Sequence, residues 1–213
     1  MYEIRAFPAN GIYHVFNKSI ANFQIFKNSC SIVRFLQTVS YYNAISLHYS
    51  LFVALRKKVR LLPPLYNDNT RALYILAYCI MPDHYHLLIK IIKENTLSKY
   101  MNDIENSYTR YFNKKNSRKG PLWQSHFCVA PIKDDSTLLH VSRYIHLNPS
   151  TSGLVQNPID WQWSSYNEYL SEHTPLHTYK EFSIKSASLY KKFVEDQIDY
   201  QRAIKRIRRS ILE

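Results

Sequence analysis

Two histidines one residue apart, His84 and His86, are the first residues whose types and spacing suit chemistry. On a β-strand, residues i and i+2 share a face, so both imidazoles can reach one cation. The spacing alone is weak: nine His in 213 residues give about 0.4 His-x-His pairs by chance, and two half-exposed strand histidines would look the same. Tyr144 and Asn148 form a second pair. Four residues apart, they share one face of a helix; a phenol oxygen is a potential nucleophile, and a neutral amide oxygen suits Mg²⁺ or Mn²⁺. With 18 Tyr in the chain, a core role is the simpler reading of any one of them. His140 and His146, in the same stretch, read equally well as surface or interface residues. A third pattern interleaves cations and rings: Arg110, Lys114 and Lys115 among Tyr108, Tyr111 and Phe112, then Arg118 and Lys119 before Trp123. Cations neutralise phosphates and rings stack on unpaired bases; the alternative is a solvated helix end beside a core tryptophan.

Composition narrows the chemistry. The three glycines, Gly11, Gly120 and Gly153, are too scattered for a dinucleotide fingerprint or a P-loop, which removes most enzymes with a nucleotide cofactor. Lys plus Arg total 28 against 16 Asp plus Glu, a formal charge of +12 that suits a polyanion, either nucleic acid or an anionic membrane surface. No apolar run approaches the roughly 20 residues of a spanning helix, and no secretory pattern opens the chain. Cys30, Cys79 and Cys128 lie far apart and outside any C-x-x-C pair, so neither a disulfide framework nor a thiolate zinc site is indicated. A cytosolic protein facing nucleic acid is expected.

These residues need elements to position them. Residues 11–17 are rich in β-formers and read as a strand. Ser29 is a candidate cap for a helix carrying Ile32, Val33, Leu36 and Val39 on one face. Residues 47–62 fit helix or strand and carry the cluster Arg56, Lys57, Lys58 and Arg60, before Pro63-Pro64 and Asn67-Asp68-Asn69 force a loop. Two apolar runs, 72–81 and 85–92, flank Pro82-Asp83-His84 and read as a hairpin at the sheet centre. Leu97, Met101, Ile104, Tyr108 and Tyr111 step by helical spacing to about Asn113. Residues 127–133 make a further strand. Asp134 or Asp135 caps a helix that Pro149 is expected to stop at Asn148. The order predicts an α+β fold, a ferredoxin-like antiparallel sheet with helices on one face. A long C-terminal helix from about Ser186 is expected to dock through Tyr190, Phe193, Val194, Tyr200 and Ile204, leaving Arg202, Lys205, Arg206, Arg208 and Arg209 off that face.

Read together, these segments resemble the REP-associated tyrosine transposases, single-tyrosine transposases within the HUH endonuclease superfamily. Residues 13–17 (Tyr-His-Val-Phe-Asn) resemble the family's opening strand. Residues 77–89 resemble its metal-binding hairpin, 120–124 its central loop, 143–149 its nucleophile helix and 163–166 its closing motif. The resemblance implies a transposase domain over 1–170 and a basic helical extension over 171–213. It implies His84, His86 and Asn148 as ligands of a divalent Mg²⁺ or Mn²⁺, and Tyr144 as a nucleophile forming a 5′-phosphotyrosine link. The implied substrate is single-stranded DNA beside a hairpin, with Lys18, Arg110, Lys114, Lys115, Arg118, Lys119, Trp123 and Arg143 as contacts. The protein would be a monomer or homodimer, cytoplasmic, and bound to the bacterial nucleoid when on DNA. His140 is the candidate base that helix spacing alone suggests. Two positions depart from the family pattern: Asp83 stands where Asn is usual and Lys18 where Arg is usual. Competing readings are a domesticated hairpin DNA- or RNA-binding protein without cleavage, a replication initiator or relaxase of the same superfamily, and a cation-binding regulator.

Overall fold

The structure, a computed structural model, describes residues 6–44, 47, 49–57, 71–171 and 180–212, with 206–212 as backbone only. Strands β1 (Ile12–Lys18), β2 (Leu73–Ile80), β3 (His84–Ile91) and β4 (Cys128–Ile132) form one antiparallel sheet in the order β2-β3-β1-β4. Helix α1 (Ser29–Tyr42) lies between β1 and β2 in sequence, followed by the short α2 (Leu51–Arg56); α3 (Leu97–Lys115) connects β3 to β4. Two interleaved β-α-β crossovers give the ferredoxin-like arrangement expected from the element order. Within the ambiguous segment 47–62, Leu51–Arg56 are helical; Lys58, Arg60, Pro63-Pro64 and Asn67-Asp68-Asn69 lie outside the described residues.

Alternation along the strands decides which residues face which layer. Val15 of β1 and Tyr85, Leu87 and Ile89 of β3 pack against Ile32, Phe35 and Val39 of α1 and Met101, Ile104 and Tyr108 of α3. The α1 face centres on Phe35, and Val33 is exposed. The cap of α1 is Asn28, whose side chain accepts from the Ser31 amide, in place of the expected Ser29. Strand β2 carries a bulge between Ile75 and Ala77. Leu73 and Ile75 face the α1–α3 layer before it, Tyr78 and Ile80 after it, while Leu76 and Ala77 both face the other way. Both faces of β2 pack against apolar side chains, which is why residues 72–81 read as an unbroken run, and the bulge reverses the phase of alternation midway.

The expected helical layer is α1 with α3, but the opposite face is covered as well. Helices α4 (Asp135–Thr151), α5 (Tyr166–Tyr169) and α6 (Ala187–Glu195) supply Leu138, Ile145, Leu147, Tyr166, Tyr169, Tyr190 and Val194 to a second core against Leu76, Cys79 and Leu88. A sheet apolar on both sides requires two covers. Burying each such large side chain contributes about 1.5–3 kcal/mol. The residue 163–166 segment pairs along the free edge of β2, with the Ile80 amide donating to Trp163 O and the Ser165 amide to Tyr78 O.

Of three boundaries, the first matches the sequence expectations and the other two correct them. Asp134 caps α4 through the Thr137 amide, at 2.7 Å. The helix then runs through Pro149 to Thr151. Proline there forfeits one backbone bond near the end of the helix, where the Asn148, Ser150 and Thr151 side chains bond to carbonyls of the preceding turn. The stop comes from Gly153, whose φ of +75° suits glycine and whose amide bonds to Ser150 O. The C-terminal helix is two helices, α6 and α7 (Ile198–Leu212), broken at Asp196–Gln197. The break resets the helical phase, and Tyr200, expected on the docking face, is exposed.

Candidate active site

The central strands carry the candidate ligands. Lys18 pairs with His84 and Phe16 with His86 across the β1–β3 ladder. Even-numbered side chains of both strands point away from α1 and α3, so His14, Phe16, His84 and His86 share the α4 face. The rings of His84 and His86 lie 5.1 Å apart at 89°. His14, which sequence reasoning left without a role, stacks on His86 at 5.1 Å. Strand alternation carries the signal that would have found it, but only once the register between β1 and β3 is known.

Hydrogen bonds hold each imidazole by its Nδ1. His84 Nδ1 lies 2.6 Å from Asp83 Oδ1, and Asp83 Oδ2 lies 3.5 Å from Lys18 Nζ. The two positions that depart from the resembled pattern therefore touch each other. Burial works against ionisation of Asp83, but its hydrogen bond to His84 and the nearby Lys18 outweigh it and hold the carboxyl below its ordinary range. His86 Nδ1 lies 3.0 Å from His14 Nε2. Burial pushes His14 down to about 4 and His86 well below the usual histidine value, so both rings are neutral near pH 7. His86 Nε2 is buried with no hydrogen-bond partner.

Helix α4 brings the second pair to this face. Tyr144 is 47% exposed, and its ring meets His86 edge-on at 5.5 Å and His14 at 6.0 Å. Asn148 is buried one turn later, with Nδ2 donating to Tyr144 O at 3.2 Å. Among the described residues no three His, Cys, Asp or Glu side chains form a metal cluster. The two imidazoles share one face of the sheet and Asn148 lies on the helix that brings Tyr144 to it; the set holds no thiolate, and while imidazole suits transition metals, a neutral oxygen suits Mg²⁺ or Mn²⁺. The orphaned Nε2 of His86 fits the same purpose, because a buried nitrogen without a partner costs about 1–3 kcal/mol unless something completes it.

Other candidates are engaged elsewhere. His140 Nδ1 lies 2.7 Å from the Arg143 guanidinium, and its ring packs near Phe193, so the expected neighbour of Tyr144 is replaced by His14. Arg143 also stacks over Phe193 at 4.3 Å and donates to Phe193 O, which ties it to α6 in place of a free phosphate contact. The Trp123 ring packs, partly buried, against Phe26, Phe35 and Tyr85 and its indole donates to Glu105 O, so the core holds one side of the ring. Arg118 donates to Asn113 Oδ1 and Pro121 O. Arg110, Lys114 and Lys115 line a groove of 640 Å³ with Arg34, Tyr42, Phe52 and Tyr111, on the α1–α3 side of the sheet. Lys119 is exposed, and Lys18 is half-exposed beside His84. The tail cations Arg202 and Lys205 turn onto the end of α4: Arg202 Nε donates to Ser150 O at 3.2 Å and Lys205 Nζ to Ser152 Oγ at 2.6 Å. The side chains of Arg206, Arg208 and Arg209 lie outside the described residues.

Comparison with known proteins points one way. The family described as "Transposase IS200 like" matches residues 66–148, which contain the hairpin histidines, Tyr144 and Asn148. A protein of Haemophilus influenzae assigned as a REP-associated tyrosine transposase is 29% identical over 102 residues, covering 43% of this chain and 58% of that protein. A REP-associated tyrosine transposase of Escherichia coli is 26% identical over 98 residues, covering 46% of this chain and 56% of its own length. The chain thus aligns with a little over half the length of these relatives. A solved structure of a REP-associated tyrosine transposase bound to a REP hairpin is similar in fold, with a TM-score of 0.56 at 16% identity, covering 88% of this chain and 92% of that one.

Proposed function

We propose that this chain, which is similar to REP-associated tyrosine transposases and matches the IS200-like transposase family over residues 66–148, cuts and rejoins single-stranded DNA beside a hairpin, with Tyr144 as nucleophile. One observation carries the reading: a half-exposed tyrosine from α4 sits edge-on to a buried histidine whose Nε2 is unpaired. A divalent cation held by His84, His86 and Asn148 would polarise the scissile phosphate and stabilise charge on its oxygens.

The protein's own contribution is position. Tyr144 Oη attacks phosphorus, the bond from phosphorus to the 3′ oxygen breaks, and the products are a 5′-phosphotyrosine and a free 3′-hydroxyl. The phenol proton leaves as the new bond forms, because a neutral phenol is a weak nucleophile; exposure of Tyr144 lets water take it. The covalent link conserves the ester, so attack by another 3′-hydroxyl reverses the step and joins strands. An open, half-exposed nucleophile suits a flexible single strand. Lys18 beside the site and the groove cations Arg110, Lys114 and Lys115 support phosphate contacts on both sides of the sheet.

The test mixes the protein, Mn²⁺ and a 5′- or 3′-labelled single-stranded hairpin, followed by denaturing electrophoresis. A denaturant-resistant adduct that retains the strand 3′ of the cut is expected. No adduct with any single-stranded hairpin from the host genome would reduce the protein to a binding module.

A further inference from the structure

We propose that Asp83 and His14 are positioning residues that fix His84 and His86 as Nδ1–H tautomers, so that each ring keeps its Nε2 lone pair for a cation. This rests on the cation reading above and adds the two residues that prepare the ligands, one from the hairpin turn and one from the neighbouring strand.

For His84 the assignment follows from donor and acceptor chemistry. A carboxylate only accepts, so the nitrogen 2.6 Å from Asp83 Oδ1 must carry the proton. A neutral imidazole with hydrogen on Nδ1 has none on Nε2. Lys18, 3.5 Å from the other carboxylate oxygen, offsets the charge of Asp83 beside the site. A carboxylate hydrogen bond also makes the imidazole a stronger donor of its remaining lone pair.

For His86 the partner is another imidazole, so one proton lies between two nitrogens 3.0 Å apart and either ring can own it. The surroundings decide. His86 Nε2 has no acceptor within reach, so a hydrogen placed there would be a buried, unpaired donor. The proton therefore belongs on His86 Nδ1, and His14 accepts through Nε2. The stacked geometry, at 25° between ring planes, and the 8% exposure of His14 leave this ring little freedom to turn away.

The two supports differ in kind. Asp83 is charged and partly solvated at the turn, while His14 is neutral and enclosed. Loss of either should weaken cation binding without unmaking the fold, by roughly 10–100-fold in dissociation constant. An amide in place of Asp83 keeps an acceptor and loses only the charge, so Asp83→Asn should fall between wild type and Asp83→Ala. Similarly, His14→Gln offers a carbonyl acceptor that His14→Phe lacks.

The experiment has two arms, neither of which needs DNA. In the full-length, metal-free protein, ¹⁵N-histidine spectra at pH 7.5 should show protonated Nδ1 and bare Nε2 for both His84 and His86, assigned by single His→Gln substitutions. Mn²⁺ affinity, read from the electron-spin-resonance signal of free Mn²⁺, should fall in the order wild type, Asp83→Asn, Asp83→Ala, and wild type, His14→Gln, His14→Phe. A proton on Nε2 of either ring, or Mn²⁺ bound equally by all five proteins, overturns the proposal and leaves the transposase reading standing. A wild type that binds no Mn²⁺ overturns both the proposal and the cation reading. Thermal unfolding without metal separates the arms: Asp83→Asn and His14→Gln should melt within a few degrees of wild type, so the spectra remain decisive if the Ala or Phe variant fails to fold.

Discussion

His146 and His86 are both enclosed imidazoles on the α4 side of the sheet, yet they are built in opposite ways. His146 Nδ1 lies 2.9 Å from the Tyr190 hydroxyl and its Nε2 lies 2.8 Å from Ser165 Oγ. Tyr190 in turn donates to Ser142, and Ser165 Oγ accepts from the Tyr78 amide. Every polar atom of that imidazole is paired, and the cluster ties α4, α6 and the edge of β2 together. His86 is paired on one side and bare on the other. Fully paired polar groups specify a packing, whereas a bare buried nitrogen is a standing cost that a ligand can remove. Tyr144, two residues before His146, makes the same point from the outside: it reaches the bare histidine and stays half-exposed.

The largest expected effect breaks the chemistry on one side of this contrast and leaves the other intact. Tyr144→Phe removes one hydroxyl from an exposed ring. Covalent adduct formation should fall by roughly 10³-fold or more, with mixed effects on nothing else, since removing a nucleophile leaves only residual activity. The melting temperature should stay within a degree or two. An adduct of wild-type yield in the Phe variant would place the nucleophile on another of the 18 tyrosines.

Exchanging leucine for each buried histidine sharpens the comparison. His146→Leu leaves the Ser165 and Tyr190 hydroxyls short of a partner and should cost about 2 kcal/mol of stability, with Mn²⁺ affinity unchanged. His86→Leu removes a group that was already half unpaired, so the metal-free protein should lose under about 1 kcal/mol while Mn²⁺ binding disappears. Urea unfolding and Mn²⁺ titration of both variants decide it. Equal destabilisation by the two substitutions would remove the distinction.

Acid should act on the paired cluster. Burial pushes His146 down to about 3, below the roughly 6.5 of an unfolded histidine. The folded state resists its protonation, so this contribution is complete above about pH 6.5 and is lost as pH falls toward 3. In that window each pH unit removes up to about 1.4 kcal/mol through this group. The urea midpoint of wild type should therefore drop more steeply between pH 6 and 4 than that of His146→Leu. Parallel curves would mean that the imidazole is protonated in the folded state at little cost.

How much of this was legible in the sequence depends on which physics each feature obeys. Whereas the pairing of Tyr144 with the histidine face was legible only through the family resemblance, the hairpin around Asp83 and His84, the apolar stripe of α3 and the Asp134 cap of α4 follow from local periodicity and short motifs. Features set by distant partners did not. The second helical cover depends on what β2 and β3 expose on both faces, and the bulge at Ile75–Ala77 disguises that alternation. His14 acquires its place only through register with β3, which no property of residues 11–17 encodes. Pro149 read as a stop because its missing amide is a local rule, while the helix continues to Thr151 and ends at Gly153, which is visible only in the fold. Trp123 among basic neighbours read equally well as a base platform or a core residue, and tertiary contact packs it, partly buried, against the core.

The smallest expected effect compares two basic regions. Arg202 and Lys205 are bonded to carbonyl and hydroxyl groups at the end of α4, where a cation also complements the helix dipole. Lys114 and Lys115 lie over the rings of Phe52 and Tyr111 at the rim of the groove, with their ammonium groups near solvent. Bonded cations should act on stability, and rim cations on DNA. Arg202→Ala with Lys205→Ala should lower stability by about 1–2 kcal/mol and leave the salt dependence of hairpin binding unchanged. Lys114→Ala with Lys115→Ala should leave stability within about 0.5 kcal/mol, and if each lysine meets one phosphate of a single strand, the slope of log K against log salt should flatten by about 1.4. Affinity measured at four salt concentrations separates the pairs. A flatter slope in the Arg202/Lys205 variant would mean that these side chains leave α4 for DNA, and the tail would then belong with the groove as a phosphate-binding surface.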